Sequence, residues 1–185
     1  MPTPQPPPRR GADRSGGDVV RELSHAHLAR HMDRLFRAAY ALSGSRHDAE
    51  DLVQETFARV LARPRLLQRH DAARYLLRAL RNTWIDMQRV RAARPATSGA
   101  YTLDRIAGRS GDPGGFTLDA QIAYGAMSEL SPKLREAIAA VDLMGLPYRD
   151  AARALGIRQG TLQSRLARAR DHVAAALEAG GRAAA

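Results

Sequence analysis

Basic and hydrogen-bonding side chains are concentrated in one stretch near the C-terminal end of the sequence. Arginine binds phosphates and guanine edges, while Gln, Thr and Ser side chains bond to bases or to the DNA backbone. No acidic residue lies between Asp150 and Asp171. This stretch therefore predicts binding to duplex DNA. The candidate contact residues are Arg158, Gln159, Thr161, Gln163, Ser164, Arg165 and Arg168.

Two helices joined by a short turn are expected to position these side chains. Apolar residues recur at helical spacing before and after a break at Gly156-Ile157. The first set is Leu146, Ala151, Ala152 and Leu155, and the second is Leu162, Leu166, Ala169 and Val173. This pattern predicts a helix-turn-helix whose second helix enters the major groove. The alternative is an ordinary helical hairpin with arginines on its solvated face.

A second basic segment is predicted to be a helix from Ala72 to about Ala93. Its arginines are accompanied by polar and aromatic groups, and its only acid is Asp86. Such a mixture suits melted or single-stranded nucleic acid, because phosphates are neutralised while bases stack. Alternatively, Trp84 is a core aromatic and the arginines form a solvated face. The candidate residues are Arg74, Arg78, Arg81, Asn82, Trp84 and Arg89.

An acidic helix is predicted between Ser45 and Pro64, which is unusual in a chain with a net charge of +10. Its expected buried face consists of Ala49, Leu52, Val53, Thr56, Phe57 and Val60. The macrodipole favours acids near a helix start and accounts for Asp48, Glu50 and Asp51. It accounts less well for Gln54 and Glu55, which would fit a positively charged protein partner.

Composition narrows the class of protein further. The 185 residues include 29 basic and 19 acidic side chains, which favours a polyanionic partner such as nucleic acid or an anionic membrane surface. No apolar run approaches the roughly 20 residues that span a bilayer, so no membrane insertion is expected. No secretory signal is recognised, and the absence of cysteine excludes disulfides and thiolate metal sites, which fits a cytoplasmic location.

No metal or other cofactor is expected. His27 and His31 are one helical turn apart, but no suitably placed carboxylate completes a metal site. The sequence also has no Gly-rich phosphate loop, nucleophile elbow or cysteine nucleophile, so an enzyme is the weakest interpretation.

The fold class predicted is all-α, with two small helical domains joined by a flexible linker and a helix-turn-helix in the second domain. In the first domain a helix is expected from about Asp18 to Leu42, with a loop from Pro64 to Asp71. Ser131 and Pro132 are expected to start a helix of the second domain. The predicted boundaries are a disordered tail at 1–17, domains at 18–94 and 117–178, a linker at 95–116 and a flexible C-terminus at 179–185.

Three blocks of the sequence together resemble the extracytoplasmic-function sigma factors, the two-domain members of the sigma-70 family. The blocks are DAEDLVQETF (Asp48 to Phe57), the helix with Arg81-Asn82 and Asp86, and the pair LSPKLREAI and GLPYRDAARALGIRQGTLQSRLARAR. They occur in the family's order. The resemblance covers roughly Leu28 to Leu177, apart from the linker.

The resemblance implies that core RNA polymerase and promoter DNA are partners, and that an anti-sigma protein holds the chain inactive. The surface with Asp48, Asp51, Gln54 and Glu55 matches the one that docks on the clamp helices of the largest polymerase subunit. The arginine-rich helix matches the part that recognises and opens the minus-ten element, where a base is flipped out of the stack. The last helix matches the reader of the minus-thirty-five element.

The recognition helix departs from the family pattern at several positions. Arg158-Gln159 replaces a common Ser-Glu, which removes a helix N-cap worth about 1 kcal/mol. Gln163 and Ala167 stand where Lys and His are common. Promoter preference therefore does not carry over from relatives.

Two other classes of protein compete with a sigma factor. A free-standing helix-turn-helix regulator would explain only the last third of the chain and would bind duplex DNA without polymerase. A sigma-mimicking adaptor would bind an anti-sigma protein and never touch DNA, which the arginines of both candidate DNA-facing helices argue against.

Overall fold

The computed structural model describes residues 21–22, 28–63, 66–67, 71–93 and 116–183, and these residues are overwhelmingly helical. The N-terminal half contains α1 (Met32–Ser43), α2 (Arg46–Ala62) and α3 (Ala72–Ala93). The C-terminal half contains α4 (Leu118–Glu129), α5 (Pro132–Ile138), α6 (Tyr148–Leu155) and α7 (Gln159–Ala183). The all-α fold class is confirmed. The predicted tail at 1–17 and the linker residues 95–115 lie outside the described part of the chain.

A pair of two-residue strands is the exception to the helical fold. Strand β1 (Arg21–Glu22) pairs antiparallel with β2 (Leu66–Leu67). The prediction of a helix from about Asp18 is therefore wrong at Arg21–Glu22, and the predicted loop from Pro64 to Asp71 contains strand β2. Short strands are stabilised by a partner distant in sequence, so local periodicity does not reveal them.

A tight connection joins α1 to α2 and sets the start of the acidic helix. The N–H of Gly44 donates to the carbonyl of Tyr40 at 2.8 Å, and Gly44 adopts φ 79°, a left-handed conformation that favours glycine. Ser45 follows immediately as the N-cap of α2, and its Oγ accepts a hydrogen bond from the Asp48 N–H at 3.1 Å.

The core of the N-terminal half largely follows the predicted apolar faces. Leu35, Leu52, Leu76 and Leu80 are fully buried, and the hydroxyl of buried Thr56 donates to the Leu52 carbonyl at 2.6 Å. Met32, the first residue of α1, is 40% exposed.

The helix that begins at Ser131 and Pro132, as predicted, changes its winding before it ends. Ser131 is the N-cap and Pro132 the first residue of α5. The chain then continues as a π-helical segment, Ala139–Leu143, in which the N–H of Met144 donates to the Ala139 carbonyl at 2.9 Å. Such wide turns are rare within helices.

The C-terminal end is helical, whereas the sequence predicted a flexible end from residue 179. Helix α7 continues to Ala183 and packs against α4. Gly180 permits this contact, because a Cβ atom there would lie 2.4 Å from Cδ1 of Ile122. Close packing against a distant helix thus stabilises a Gly- and Ala-rich segment that has little periodicity of its own.

The two helical halves pack against each other in the described structure. One apolar cluster combines Leu35 and Leu80 of the N-terminal half with Ala139, Met144 and Leu155 of the C-terminal half. A second cluster places Ala41 of α1 among residues of α4, α5 and α7. At the edge of this contact, the Tyr40 ring lies 4.8 Å from the Tyr124 ring and 5.4 Å from the Phe116 ring, centroid to centroid.

Candidate nucleic-acid and protein interfaces

The C-terminal half contains the predicted helix-turn-helix. Helix α6 ends at Leu155 and is followed by Gly156, which adopts φ 68°, and the N–H of Ile157 donates back to the Ala152 carbonyl at 3.0 Å. At the start of α7, the Arg158 carbonyl accepts from the Leu162 N–H at 3.0 Å. The predicted apolar faces of the two helices are buried. These residues are Leu146, Ala151, Ala152, Leu155, Leu162, Leu166, Ala169 and Val173.

The candidate duplex-reading side chains lie outside the buried face of α7, just before its start and along its first turns. Thr161 and Arg165 are half-buried, and the Ser164 hydroxyl donates to the Thr161 carbonyl at 3.0 Å. The exposed members are Arg158, Gln159, Gln163, Ser164 and Arg168. Because α7 begins at Gln159, this surface covers the first turns of the second helix, where helix-turn-helix proteins contact base edges.

The candidate residues of α3 do not form one open surface. Arg78, Asn82 and Arg89 are exposed, and Trp84 is half-buried against the hydrophobic core. The Trp84 ring thus packs partly against this core, and its contact with nucleic acid stays a prediction.

Arg74 and Arg81 of α3 are ion-paired instead with residues of the C-terminal half. Arg81 Nε donates to Glu136 Oε1 of α5 at 2.8 Å. Arg74 lies 2.6 Å from Oδ1 of Asp71 and 3.6 Å from Oδ1 of Asp150 in α6. These two arginines therefore connect the two halves of the protein.

A cleft of about 180 Å³ opens beside the Arg74 contacts, between α3 and α6. It is lined by Asp71, Arg74, Tyr75, Arg78, Arg153 and Ala154. Its wall is basic, because three of the lining residues are arginines and one is a carboxylate. Since the cleft is open to solvent, dissolved ions screen the ion pairs of Arg74.

The candidate partner surface on α2 is a stripe of acidic and polar side chains. Asp51, Gln54 and Glu55 fall on adjacent turns, and the side chains of Asp51 and Glu55 are 48% and 47% exposed. Asp48 is more enclosed, since its carboxylate pairs with the guanidinium of Arg91 from α3. Three of the four predicted residues are thus accessible to a partner.

The Arg59 side chain links this stripe to α3. Arg59 Nε donates to Glu55 and its Nη1 to Asp86, each at 2.7 Å. The hydrogen bond with Glu55, followed by that with Asp86, raises the pKa of Arg59. The charge of Glu55 is therefore partly neutralised within the protein. The Asp51 carboxylate instead has the His47 side chain beside it, with Nε2 3.6 Å from Oδ2.

Sequence reasoning missed the side chains that join the halves. Besides Glu136 and Asp150, Arg135 donates from Nη1 to the Leu42 carbonyl at 3.1 Å, at the C-terminal end of α1. Its Nη2 donates to the carbonyls of Ser128 and Leu130, each at 2.9 Å. No periodic signal marks these residues, since their partners across the contact are far away in sequence.

Two other sequence observations find no candidate site in the structure. His27 of the predicted histidine pair lies outside the described residues, and no group of three potential metal ligands occurs among the residues that are described. Over the same residues, the longest helices are too polar to cross a bilayer.

Two protein-family models match the chain. The model described as Sigma-70 region 2 matches residues 28–94, and the model described as Sigma-70, region 4 matches residues 120–173. The first match contains α1 to α3, and the second contains the helix-turn-helix.

Curated relatives match both halves together. The ECF RNA polymerase sigma factor SigE of Mycolicibacterium smegmatis is 34% identical over 161 residues, which cover 85% of this chain and 63% of SigE. The ECF RNA polymerase sigma factor SigC of Mycobacterium tuberculosis is 36% identical over 131 residues, which cover 70% of each protein. The chain thus spans less than two thirds of the SigE relative.

Solved structures share the arrangement of helices. The sigma factor RpoE of Bartonella quintana, in complex with the anti-sigma factor NepR, has a TM-score of 0.63 and 28% identity, covering 83% of this chain and 95% of that one. CnrH in complex with the cytosolic domain of CnrY has a TM-score of 0.50 and 24% identity, covering 82% and 85%, and shows the fold alone.

Proposed function

Because the chain belongs to the extracytoplasmic-function sigma factors of the sigma-70 family, we propose that it directs core RNA polymerase to promoters. In this role α7 reads a minus-thirty-five element, and α3 recognises and opens a minus-ten element. The observation that carries the proposal is the match of both family regions to one chain, each with its own basic helix. A free-standing helix-turn-helix regulator would require only the second region.

The site residues follow from the surfaces described above. Arg158, Gln159, Gln163 and Arg168 are exposed on the reading side of α7, and Arg165 is close enough to the surface to reach a phosphate. Phosphate contacts by the arginines would set the register on the duplex, while the amides read base edges. On α3, Arg78, Asn82 and Arg89 are accessible to the displaced strand. Arg74 and Arg81 would contact DNA phosphates in place of the carboxylates with which they form ion pairs.

Docking on polymerase is assigned to the acidic stripe of α2. Asp51, Gln54 and Glu55 present negative charge and hydrogen-bonding groups on a protein that is otherwise basic. A positively charged polymerase surface would be steered to this stripe, while DNA would be repelled by it. The proposed protein-binding surface therefore lies on a different helix from the proposed DNA-binding surfaces.

An anti-sigma protein is the proposed regulator. The structural relative from Bartonella quintana was solved with an anti-sigma factor, and it covers most of this chain. The protein would act in the cytoplasm as a non-catalytic subunit, because the chemistry of RNA synthesis belongs to the polymerase.

The experiment that tests this function is transcription in vitro with purified core RNA polymerase and fragmented genomic DNA from the source organism, followed by mapping of RNA 5′ ends. Start sites that require this protein and share a two-part upstream motif are the expected result. Core polymerase alone and a chain lacking residues 116–185 serve as controls. No new start sites with a folded, core-binding protein would overturn the proposal, and specific duplex binding without polymerase would favour a free-standing regulator.

A further inference from the structure

The cleft between α3 and α6 brings arginines from two helices to one space that is open to solvent. Arg74 and Arg78 reach it from adjacent turns of α3, and Arg153 reaches it from α6. Its volume is about 180 Å³. A cavity of about 150 Å³ in a protein holds a benzene molecule, so this cleft has room for a small polyatomic ligand.

The three arginines differ in how well their charges are compensated. Arg74 lies 2.6 Å from Asp71 and 3.6 Å from Asp150. Arg153 shares the Asp150 carboxylate at 4.0 Å, which is longer than the roughly 2.7–2.9 Å of a charge-assisted hydrogen bond. Arg78 is exposed and forms no ion pair with any residue that the structure describes. Arg78 and Arg153 are therefore weakly compensated.

The charge of the cleft selects the class of ligand. With Asp150 counted beside the lining residues, Arg74, Arg78 and Arg153 face two carboxylates, which leaves one positive charge in excess. This excess favours an anion and disfavours a metal cation. An apolar ligand is also disfavoured, because Ala154 is the only aliphatic residue of the lining.

We propose that the cleft binds a small molecule that carries a diphosphate group, held between Arg78 of α3 and Arg153 of α6. A guanidinium presents a planar fork of donors that matches phosphate oxygens, so two arginines on different helices can each bind one phosphate group. The Tyr75 phenol in the same lining is a further hydrogen-bond donor. The site goes beyond the proposed function, since Arg153 belongs to neither the DNA-binding nor the polymerase-binding surfaces.

Binding of an anion costs little of the existing network. The contact between Arg153 and Asp150 is long, and the Arg153 side chain is 52% exposed, so a phosphate replaces a weak interaction. Asp150 keeps Arg74 as a partner when Arg153 turns to the ligand. No carboxylate is thus left without a cation.

Occupancy of the cleft also affects the arginines assigned to the minus-ten strand. Arg78 cannot bind a ligand phosphate and a DNA phosphate with the same donors. A diphosphate compound is therefore expected to compete with the displaced strand for Arg78. This consequence, unlike the site itself, rests on the proposed function.

Isothermal titration calorimetry of the full chain with inorganic pyrophosphate tests the site, with ionic strength held constant by sodium chloride. Arg153→Gln is expected to weaken binding about tenfold or more, because it removes charge-assisted hydrogen bonds. The matched control is Arg149→Gln, which removes the same charge from an exposed residue of α6 that does not line the cleft. Absence of saturable binding, or equal weakening in both variants, would overturn the proposal.

Two further ligands identify what the cleft recognises. Sulfate that binds as tightly as pyrophosphate would overturn the assignment of a diphosphate. Adenosine diphosphate distinguishes the sources of the group. Tighter binding than pyrophosphate would assign an organic diphosphate, and weaker binding would assign the free anion.

Removal of a competing carboxylate gives a prediction of the opposite sign. Asp150→Asn should bind pyrophosphate about threefold more tightly than Glu178→Gln, because Arg153 then has no carboxylate to leave. Both variants carry the same net charge, so a general electrostatic gain cancels. Circular dichroism checks that both are folded. Equal affinity in the two folded variants would contradict a site at Arg153.

The outcomes separate this proposal from the proposed function. Pyrophosphate should lower the affinity of the parent for a single-stranded oligonucleotide, and it should do so less for Arg153→Gln. Saturable binding without this competition would retain the site and reject its link to the minus-ten strand. Promoter-dependent transcription without pyrophosphate binding would retain the function and reject the site. Binding that depends on Arg153 in a chain that directs no transcription would do the reverse.

Discussion

Arg170 of α7 and Asp142 of the π-helical segment form a two-pronged ion pair, with Nε to Oδ2 at 3.0 Å and Nη2 to Oδ1 at 2.5 Å. The hydrogen bond that Arg170 donates to Asp142 is the main cause of the raised pKa of this arginine. Arg170 therefore fastens α7 to the end of the α5 helix, although it belongs to the same basic run as Arg165 and Arg168. Its charge is compensated within the protein.

Arg170→Ala is expected to lower the free energy of unfolding by about 1 kcal/mol, the upper range for a partly exposed pair with good geometry. Arg168→Ala is the matched control, because Arg168 is exposed on the same helix and should change stability by less than about 0.5 kcal/mol. Urea unfolding of both variants measures the difference. Equal stabilities would show that the Asp142 pair contributes nothing to folding.

Charge reversal on the acidic stripe should separate polymerase binding from folding. The double variant Asp51→Lys/Glu55→Lys is expected to lose core affinity by on the order of tenfold or more, because it repels a basic partner. Glu178→Lys is the control for a charge reversal elsewhere. Core affinity is read by fluorescence anisotropy, with circular dichroism as the check on folding. Retained affinity in the double variant would remove this stripe from the docking surface.

The Arg168 side chain should act on DNA and leave polymerase binding intact. Arg168→Ala is expected to lower promoter-dependent transcription and to reduce the slope of log affinity against log salt concentration by about 1, if it neutralises one phosphate. Arg165→Ala is also expected to lower promoter-dependent transcription and to reduce this slope. Transcription and core affinity are measured on the same preparations. A parallel loss of both activities would point instead to damage to the helix-turn-helix fold.

Two glycines of the helix-turn-helix should respond oppositely to alanine. Gly156 has φ 68°, and outside its chain neighbours nothing lies within 4 Å of the position that a Cβ would take, so Gly156→Ala should cost about 1 kcal/mol through backbone conformation. Gly160 lies in the first turn of α7 and is equally open, so Gly160→Ala should gain up to about 1 kcal/mol. The shift in melting temperature of each variant, measured by thermal unfolding, tests both expectations. A shift of the same sign in both would contradict the assigned turn.

Because the Tyr124 side chain is largely buried, we expect the free energy of unfolding to fall at alkaline pH. Burial raises the pKa of Tyr124 to about 12, against an ordinary value of 10.0. The unfolded chain therefore loses this proton first, and the stabilising contribution is complete below about pH 10 and declines as the pH rises towards about 12. Tyr124→Phe should flatten that decline. Denaturant unfolding at several alkaline pH values tests it, and an identical decline in the variant would assign the effect to other groups.

The sequence predicted the parts of this protein whose cause is local. Helical periodicity identified the buried faces of α6 and α7 and, apart from the half-buried Phe57, that of α2, because a side chain's place on a helix depends on its spacing. The sigma-70 family was recognised from contiguous blocks and is confirmed by both family models and by the curated relatives. The acidic stripe of α2 and the exposed polar side chains of α7 also follow from local spacing, since each set lies on a single helix.

The tertiary structure decided the features that join distant residues. The β1–β2 pair and the helical C-terminus each depend on a contact that the local sequence does not encode. Arg81 and Glu136 are 55 residues apart, and nothing in composition distinguishes Arg81 from its exposed neighbour Arg78. Which arginine is paired and which remains open depends on how α5 and α6 pack against α3. Sequence thus determined which side chains each helix can present, and packing determined which of them are accessible.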